Sequence, residues 1–151
     1  MKKCSQFSLL LPPILGLVYL MKILSSLLIL LLSAGALTAN ESAKIENVNA
    51  KQAAALLDKK SPPVVLDVRT QSEFKDGHIS GAVSIDVTAP DFKTNVSKLD
   101  KTQPYLLHCR SGARSSRALK VMRDLGFKYV YHLDSGIMAW KDAGQALVKS
   151  K

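Results

Sequence analysis

The chain has 151 residues, 47% of them hydrophobic, and a formal charge of +9. That length suits one domain around one core. The basic balance suits anionic substrates; because the basic residues are dispersed and only 6% of residues are aromatic, nucleic-acid binding is not expected.

The first forty residues differ from the rest. None of the 12 Asp and Glu lies among them, and only Lys2, Lys3 and Lys22 of the 21 Lys and Arg do, so the remainder carries +6 (18 basic less 12 acidic). Lys22 precedes an apolar run over 23–32, followed by Ser33, Ala34, Gly35 and Ala36. A positive flank, an apolar run and small residues are the marks of a secretory signal peptide. Residues 1–39 are therefore expected to be a leader, with Met21 the simplest true start and the mature chain exported to a periplasm or secreted. The alternative is an uncleaved membrane anchor, although each apolar run alone is short for a span of about 20 residues. With Cys4 removed, Cys109 is the single thiol of the mature chain. A lone thiol in an oxidising compartment is a liability unless it reacts for a purpose. No disulfide within the mature chain and no resolving Cys are available, which excludes a dithiol oxidoreductase.

Residues 40–45 are polar and expected to be a flexible lead-in. Asn49 is placed to cap a helix running to Leu57, with Gln52 completing a capping box and Ala50, Ala53, Ala54 and Leu57 on one face. Lys59-Lys60-Ser61-Pro62-Pro63 ends that helix. Residues 64–68 are apolar except for Asp67, as in a strand buried on both faces. A helical turn over 72–75, a short strand over 82–85 and a helix over 91–99 follow. Residues 105–108 read as the central strand. Ala118, Val121, Met122 and Leu125 form a helical stripe that stops at Gly126. Residues 129–133 form another strand, and 136–141 a last helix in which Trp140 is a core aromatic. Strands alternating with helices give an α/β class with a mainly parallel sheet.

Ligands of such sheets sit beyond the carboxyl ends of the strands. Cys109 stands at one such end, followed by Arg110, Ser111, Gly112, Ala113 and Arg114. A thiol at a strand-to-helix joint meets the positive end of the helix, and the loop N–H groups can form an anion nest. Arg110 and Arg114 add fixed positive charge. A buried structural Cys flanked by solvated arginines is the plainer alternative, but it needs neither the Gly nor the two Arg. Arg69, at the end of the first buried strand, either binds an anion or pairs with Glu73 as scaffold. His78 reads as a turn residue and His108 is poorly placed as a base, because strand neighbours point to opposite faces. His132 has no partner identifiable from the sequence. The three His and Cys109 lack metal-site spacing, and no dinucleotide fingerprint occurs.

The Cys109–Arg114 stretch resembles the active-site loop of rhodanese-type sulfurtransferases. Leu66-Asp67-Val68-Arg69, Glu73-Phe74 and Gly77-His78-Ile79-Ser80-Gly81-Ala82 resemble the family's upstream motif. Leu133, Gly136, Ile137, Trp140 and Gly144 resemble its closing motif, with Ser135 standing where many members have a second Gly. The resemblance implies a single rhodanese-like domain over 45–150, its parallel sheet flanked by helices on both faces. It implies Cys109 as the nucleophile, with Arg110, Ser111, Gly112, Ala113, Arg114 and Arg69 binding substrate. It implies no cofactor and no metal. The donor would be thiosulfate or a similar small anion, and the acceptor a thiol, cyanide or a protein. A membrane contact would come only through an uncleaved N-terminus. Two other classes compete. Phosphatases and arsenate reductases of related design use Cys-x5-Arg, whereas residue 115 here is Ser, so the loop is one residue short. A non-turnover sulfur carrier or binding module is the third class.

Overall fold

The protein is described by a computed structural model over residues 43–149 together with Lys22. The chain divides into two units, residues 1–40 and 41–151. Apart from Lys22, the proposed leader lies outside the described residues, and the account that follows concerns the second unit.

Strand β1 (Lys44–Val48), helix α1 (Ala50–Leu57), β2 (Val64–Asp67), α2 (Gln71–Asp76), β3 (Val83–Ser84), α3 (Phe92–Ser97), β4 (Pro104–His108), α4 (Ala113–Asp124), β5 (Tyr129–Leu133) and α5 (Gly136–Asp142) follow in order. The five strands form one sheet in the order β1-β5-β4-β2-β3, and every pairing is parallel. β4 is central, and Tyr105, Leu106, Leu107 and His108 are all buried, as a strand covered on both faces requires. Side chains alternate across the sheet, so its two faces build two cores. Tyr105, Leu107 and Cys109 pack with Phe92, Ala118, Met122 and Phe127 on the face covered by α3 and α4. Leu106 packs with Ala53, Ile137 and Trp140 on the face covered by α1 and α5. Leu106 and Leu107 are fully buried, and each such burial stabilises the fold by about 1.5–3 kcal/mol.

Local chemistry sets the ends of the elements. Asn49 and Gln52 form the expected capping box at α1, each side chain accepting the other's backbone N–H at 2.9 Å. Thr70 and Glu73 form a second box at α2. Gly126 closes α4 with φ +84°, a conformation costly for any residue with a Cβ. Trp140 is a core residue whose indole N–H donates to Ala146 O at 3.0 Å.

Two expectations are corrected. The lead-in over 40–45 is in its second half the start of β1, which pairs in register with β5 from Lys44↔Tyr129 to Val48↔Leu133. Only Val48 of this edge strand is buried, so its hydrophobic pattern is faint and the pairing rests on the open edge of β5. The helix expected from Ala118 begins five residues earlier, at Ala113. Gly112 takes the capping position, with the hydroxyls of Ser115 and Ser116 standing 2.9 and 3.0 Å from Gly112 O. Ser115 and Ser116, ahead of the apolar stripe, thus belong to the first helical turn.

Candidate active site

The loop after β4 is only four residues long, Cys109 to Gly112, and two glycines hold it shut. Gly112 has φ +100°, and a Cβ there would overlap the carbonyl of Asp134. Gly136 has φ +65°, and its missing Cβ leaves room for the Arg110 carbonyl. Ile137 N–H donates to Cys109 O at 2.8 Å and Met138 N–H to Arg110 O at 3.2 Å. The β5–α5 turn therefore clamps the Cys109 loop through backbone contacts that no side chain at either glycine permits. Ser135, in place of a second glycine, sits at φ −87° and needs no left-handed conformation.

Cys109 is buried, 1% exposed. Its sulfur accepts the Gly112 N–H at 3.1 Å and the Ser115 hydroxyl at 3.4 Å. Burial pushes the thiol pKa up, but the Ser115 hydroxyl and the amides of Ser115, Ser111 and Gly112 outweigh it, so the net direction is downward. Donors that converge on a sulfur stabilise its anion.

The charged side chains divide into three roles. Arg114, in the first turn of α4, makes a two-armed contact with Glu73 at 2.7 and 2.8 Å. The Arg114 guanidinium holds the Glu73 carboxyl at about 2. Arg114 thus carries its charge to the loop in a fixed position, not as a free hand for substrate. Arg69 is 5% exposed and does not pair with Glu73. Its Nε and Nη2 bind Asp67 at 2.9 and 2.5 Å, and Nη2 also donates to Gly77 O at 2.8 Å. The expected pairing with Glu73 is replaced by one with Asp67, because the two side chains stand two residues apart at the end of β2. Arg110 is exposed and lines a cleft of about 400 Å³ with Arg69, Glu73, Met138 and Lys141. Ser111 contributes its amide, and Ala113 is exposed at the helix start.

The histidines separate clearly. His78 stacks on Phe74 and its Nδ1 lies 2.9 Å from Phe74 O, the turn role expected of it. His108 points away from the Cys109 face: it is fully buried, Nδ1 lies 3.2 Å from Cys109 O, and Nε2 stands 3.8 Å from Asp67 Oδ2 with no hydrogen-bond partner among the described residues. Burial pushes its pKa down. His132 joins the site, which the sequence did not reveal. Its Nε2 lies 2.9 Å from Ser115 Oγ and its Nδ1 3.1 Å from Asn47 Oδ1. The available signal was position: His132 shares a face of β5 with buried Val130, and a polar ring at such a position needs partners. Among the described residues, no three of His, Cys, Asp and Glu converge as a metal site requires.

A five-stranded parallel sheet with a thiol cradled at the end of its central strand defines a cysteine-centred α/β protein built to hold an anionic sulfur. Comparison with known proteins specifies the family. The rhodanese-like domain family matches residues 49–143, and the chain belongs to it. Rhodanese-like domain-containing protein 17 of Arabidopsis thaliana is 36% identical over 115 residues, covering 68% of this chain and 72% of that one. The tRNA uridine(34) hydroxylase of Chlamydia abortus is 36% identical over 94 residues, 58% of this chain and 28% of that one. The probable adenylyltransferase/sulfurtransferase MoeZ of Mycobacterium tuberculosis is 30% identical over 102 residues, 68% of this chain and 26% of that one. The chain spans half or less of the length of several such relatives. Among solved structures, a rhodanese-related protein from Thermoplasma volcanium superposes with a TM-score of 0.62 at 25% identity, over 70% of this chain and 99% of that one.

Proposed function

We propose that the protein is a sulfurtransferase that carries sulfane sulfur as a persulfide on Cys109. The observation that carries this reading is the convergence of the Ser115 hydroxyl and the loop amides on Sγ. The Cys109 thiolate attacks the outer sulfur of thiosulfate. The S–S bond of the donor breaks, sulfite leaves with the bonding pair, and the outer sulfur stays on Cys109 as an anionic persulfide. A nucleophilic acceptor then attacks that sulfur, and the thiolate leaves. Two displacements at one nucleophile replace a direct transfer, and the loop amides are placed to stabilise the persulfide charge. Arg110 faces the cleft and is assigned to the incoming anion. Arg114 supports the loop electrostatically through its bond to Glu73.

Thiosulfate or a similar small anion is the proposed donor, and a thiol, cyanide or a protein thiol the acceptor. The sulfurtransferase assignment of the Mycobacterium relative supports this class. The short loop and the engagement of Arg114 by Glu73 favour a sulfur over a phosphoryl group, which needs a wider ring of donors and a free guanidinium. The Lys22-led apolar segment and the small residues after it support an exported, periplasmic or secreted protein. Sequencing of the mature N-terminus tests export: a start between Leu37 and Asn40 is expected, and an intact membrane-bound chain overturns it. Thiocyanate formation from thiosulfate and cyanide tests the activity. The wild type is expected to turn over and Cys109→Ser to be inactive; equal activity of the two removes Cys109 from the reaction.

A further inference from the structure

Behind the thiol lies a chain of polar groups that sulfur transfer, as written above, does not use. Ser115 Oγ stands 3.4 Å from Cys109 Sγ and 2.9 Å from His132 Nε2, and His132 Nδ1 stands 3.1 Å from Asn47 Oδ1. Ser115, His132 and Cys109 are all buried. The Ser115 hydroxyl has one proton and three acceptors in reach, the third being Gly112 O at 2.9 Å. That carbonyl already accepts the Ser116 N–H at 2.9 Å and the Ser116 hydroxyl at 3.0 Å, which fills its two lone pairs. The Ser115 proton is therefore left to choose between the imidazole and the sulfur. Asn47 Oδ1 accepts only, so it fixes the Nδ1–H tautomer and leaves the Nε2 lone pair facing Ser115.

We propose that Ser115 and His132 form a proton relay that takes the Cys109 thiol proton, with Asn47 positioning the imidazole. In the thiol state Sγ–H faces Ser115 Oγ and the Ser115 proton faces Nε2. When the thiolate forms, the S–H bond breaks and its electron pair stays on sulfur. That proton bonds to Ser115 Oγ as the original Ser115 proton moves to Nε2. The hydroxyl now donates to the thiolate and accepts from the imidazolium, so charge appears on sulfur together with a donor to hold it. No electron transfer and no co-reactant are involved. The relay rests on the sulfurtransferase reading for its purpose, since it supplies that reaction's nucleophile, but its geometry stands independently of the donor.

Burial pushes the ring's pKa down, which keeps the resting imidazole neutral, and Asp134 opposes it, favouring the imidazolium once the proton arrives. From α4, Lys120 and Arg123 line the cleft that reaches His132, and Asp134 lines it from the end of β5. From β1 the facing group is the neutral Asn47, whereas Lys44 and Glu46 line a different cleft. From β4 the neighbour in register is the apolar Leu107.

The test is the pH titration of the Cys109 thiolate, read as ultraviolet absorbance of the full chain minus that of Cys109→Ser. His132→Gln keeps an N–H toward Ser115 but cannot take a proton. Its midpoint is expected to rise by about one pH unit, the size of losing one close opposite charge. Ser115→Ala is expected to move in the same direction. Asn47→Asp, on the exposed edge of β1, is expected to lower the midpoint, because a carboxylate at Nδ1 favours the imidazolium. A midpoint in His132→Gln equal to the wild type overturns the relay, because a purely structural imidazole would change stability and not this titration. If His132→Gln does not fold, Asn47→Asp decides alone: a fall supports the relay and an unchanged midpoint overturns it. No sulfur donor is present in the titration. Loss of the relay and failure of thiosulfate to label Cys109 are therefore separate results.

Discussion

Two buried polar clusters flank the same loop, and each contains a histidine. At the end of β2, Asp67, Arg69 and His108 form a closed set: Asp67 receives Arg69 through Nε and Nη2, and His108 Nε2 stands 3.8 Å from Asp67 with no hydrogen-bond partner. Behind α4, Cys109, Ser115, His132 and Asn47 form an open chain whose every hydrogen bond can reverse direction except the last. The first cluster is committed to its ion pair, and burial keeps its histidine uncharged. The second ends on the Cys109 sulfur. The difference teaches that a buried histidine beside a reactive thiol is recognised by the path of its hydrogen bonds, not by its distance along the chain. His108 is adjacent to Cys109 in sequence and faces the other core; His132 is 23 residues away and shares the site.

The comparison breaks most severely at its centre. Cys109→Ser is expected to abolish sulfur uptake altogether while leaving the melting temperature near that of the wild type, because the two side chains are nearly the same size. Unfolding together with loss of activity would mark Cys109 as a core residue. In the closed cluster, Asp67→Ala leaves Arg69 buried without its carboxylate. Removing one partner of a buried pair costs about 3–5 kcal/mol, so denaturant unfolding should show a loss of this order. A change below about 1 kcal/mol would mean that the pair is wetter than its burial indicates.

Smaller effects sharpen the contrast at the loop. Arg114→Ala removes a fixed charge beside the loop, not a direct contact, and is expected to lower kcat/KM for thiosulfate by about tenfold, equivalent to about 1.4 kcal/mol. Arg117→Ala, one turn farther along α4 and exposed, should have almost none. Equal losses would mean that general basicity draws the substrate. The Glu73–Arg114 pair supplies the smallest effect and a sign. Glu73 is held at about 2 in the folded state against 4.5 for the free group, so the unfolded chain binds its proton first. The stabilisation is complete above pH 4.5 and is lost as pH falls toward 2. Both side chains are partly solvated, at 21% and 28% exposed, so after screening the difference amounts to about 1 kcal/mol or less. Glu73→Gln should abolish this part of the acid dependence, and parallel acid-unfolding curves for the two proteins would contradict it.

Much of this was readable from residue order alone. The apolar runs of β2 and β4, the Asn49 capping box and the Gly126 stop announce the parallel sheet and its helices, because local hydrogen bonding and burial on both faces leave a direct pattern. The Cys109 loop was equally plain. β1 was missed because an edge strand with one buried residue carries little hydrophobic signal. The start of α4 was missed because its first turn carries no apolar stripe, and the Ser115 and Ser116 hydroxyls meet Gly112 O only in the folded backbone. The partners of Arg69, Arg114 and His132 are long-range or depend on side-chain direction. Asn47 and His132 are 85 residues apart, and no local periodicity joins them.

Intact-mass measurement of the protein with and without thiosulfate tests the central claim most directly, because it reads the persulfide without presuming an acceptor. The expected result is the gain of one sulfur atom, its removal by a thiol reductant, and no gain in Cys109→Ser. An unchanged mass, together with ready hydrolysis of an aryl phosphate by the same preparation, would contradict sulfur transfer and assign the Cys109 loop to phosphoryl chemistry.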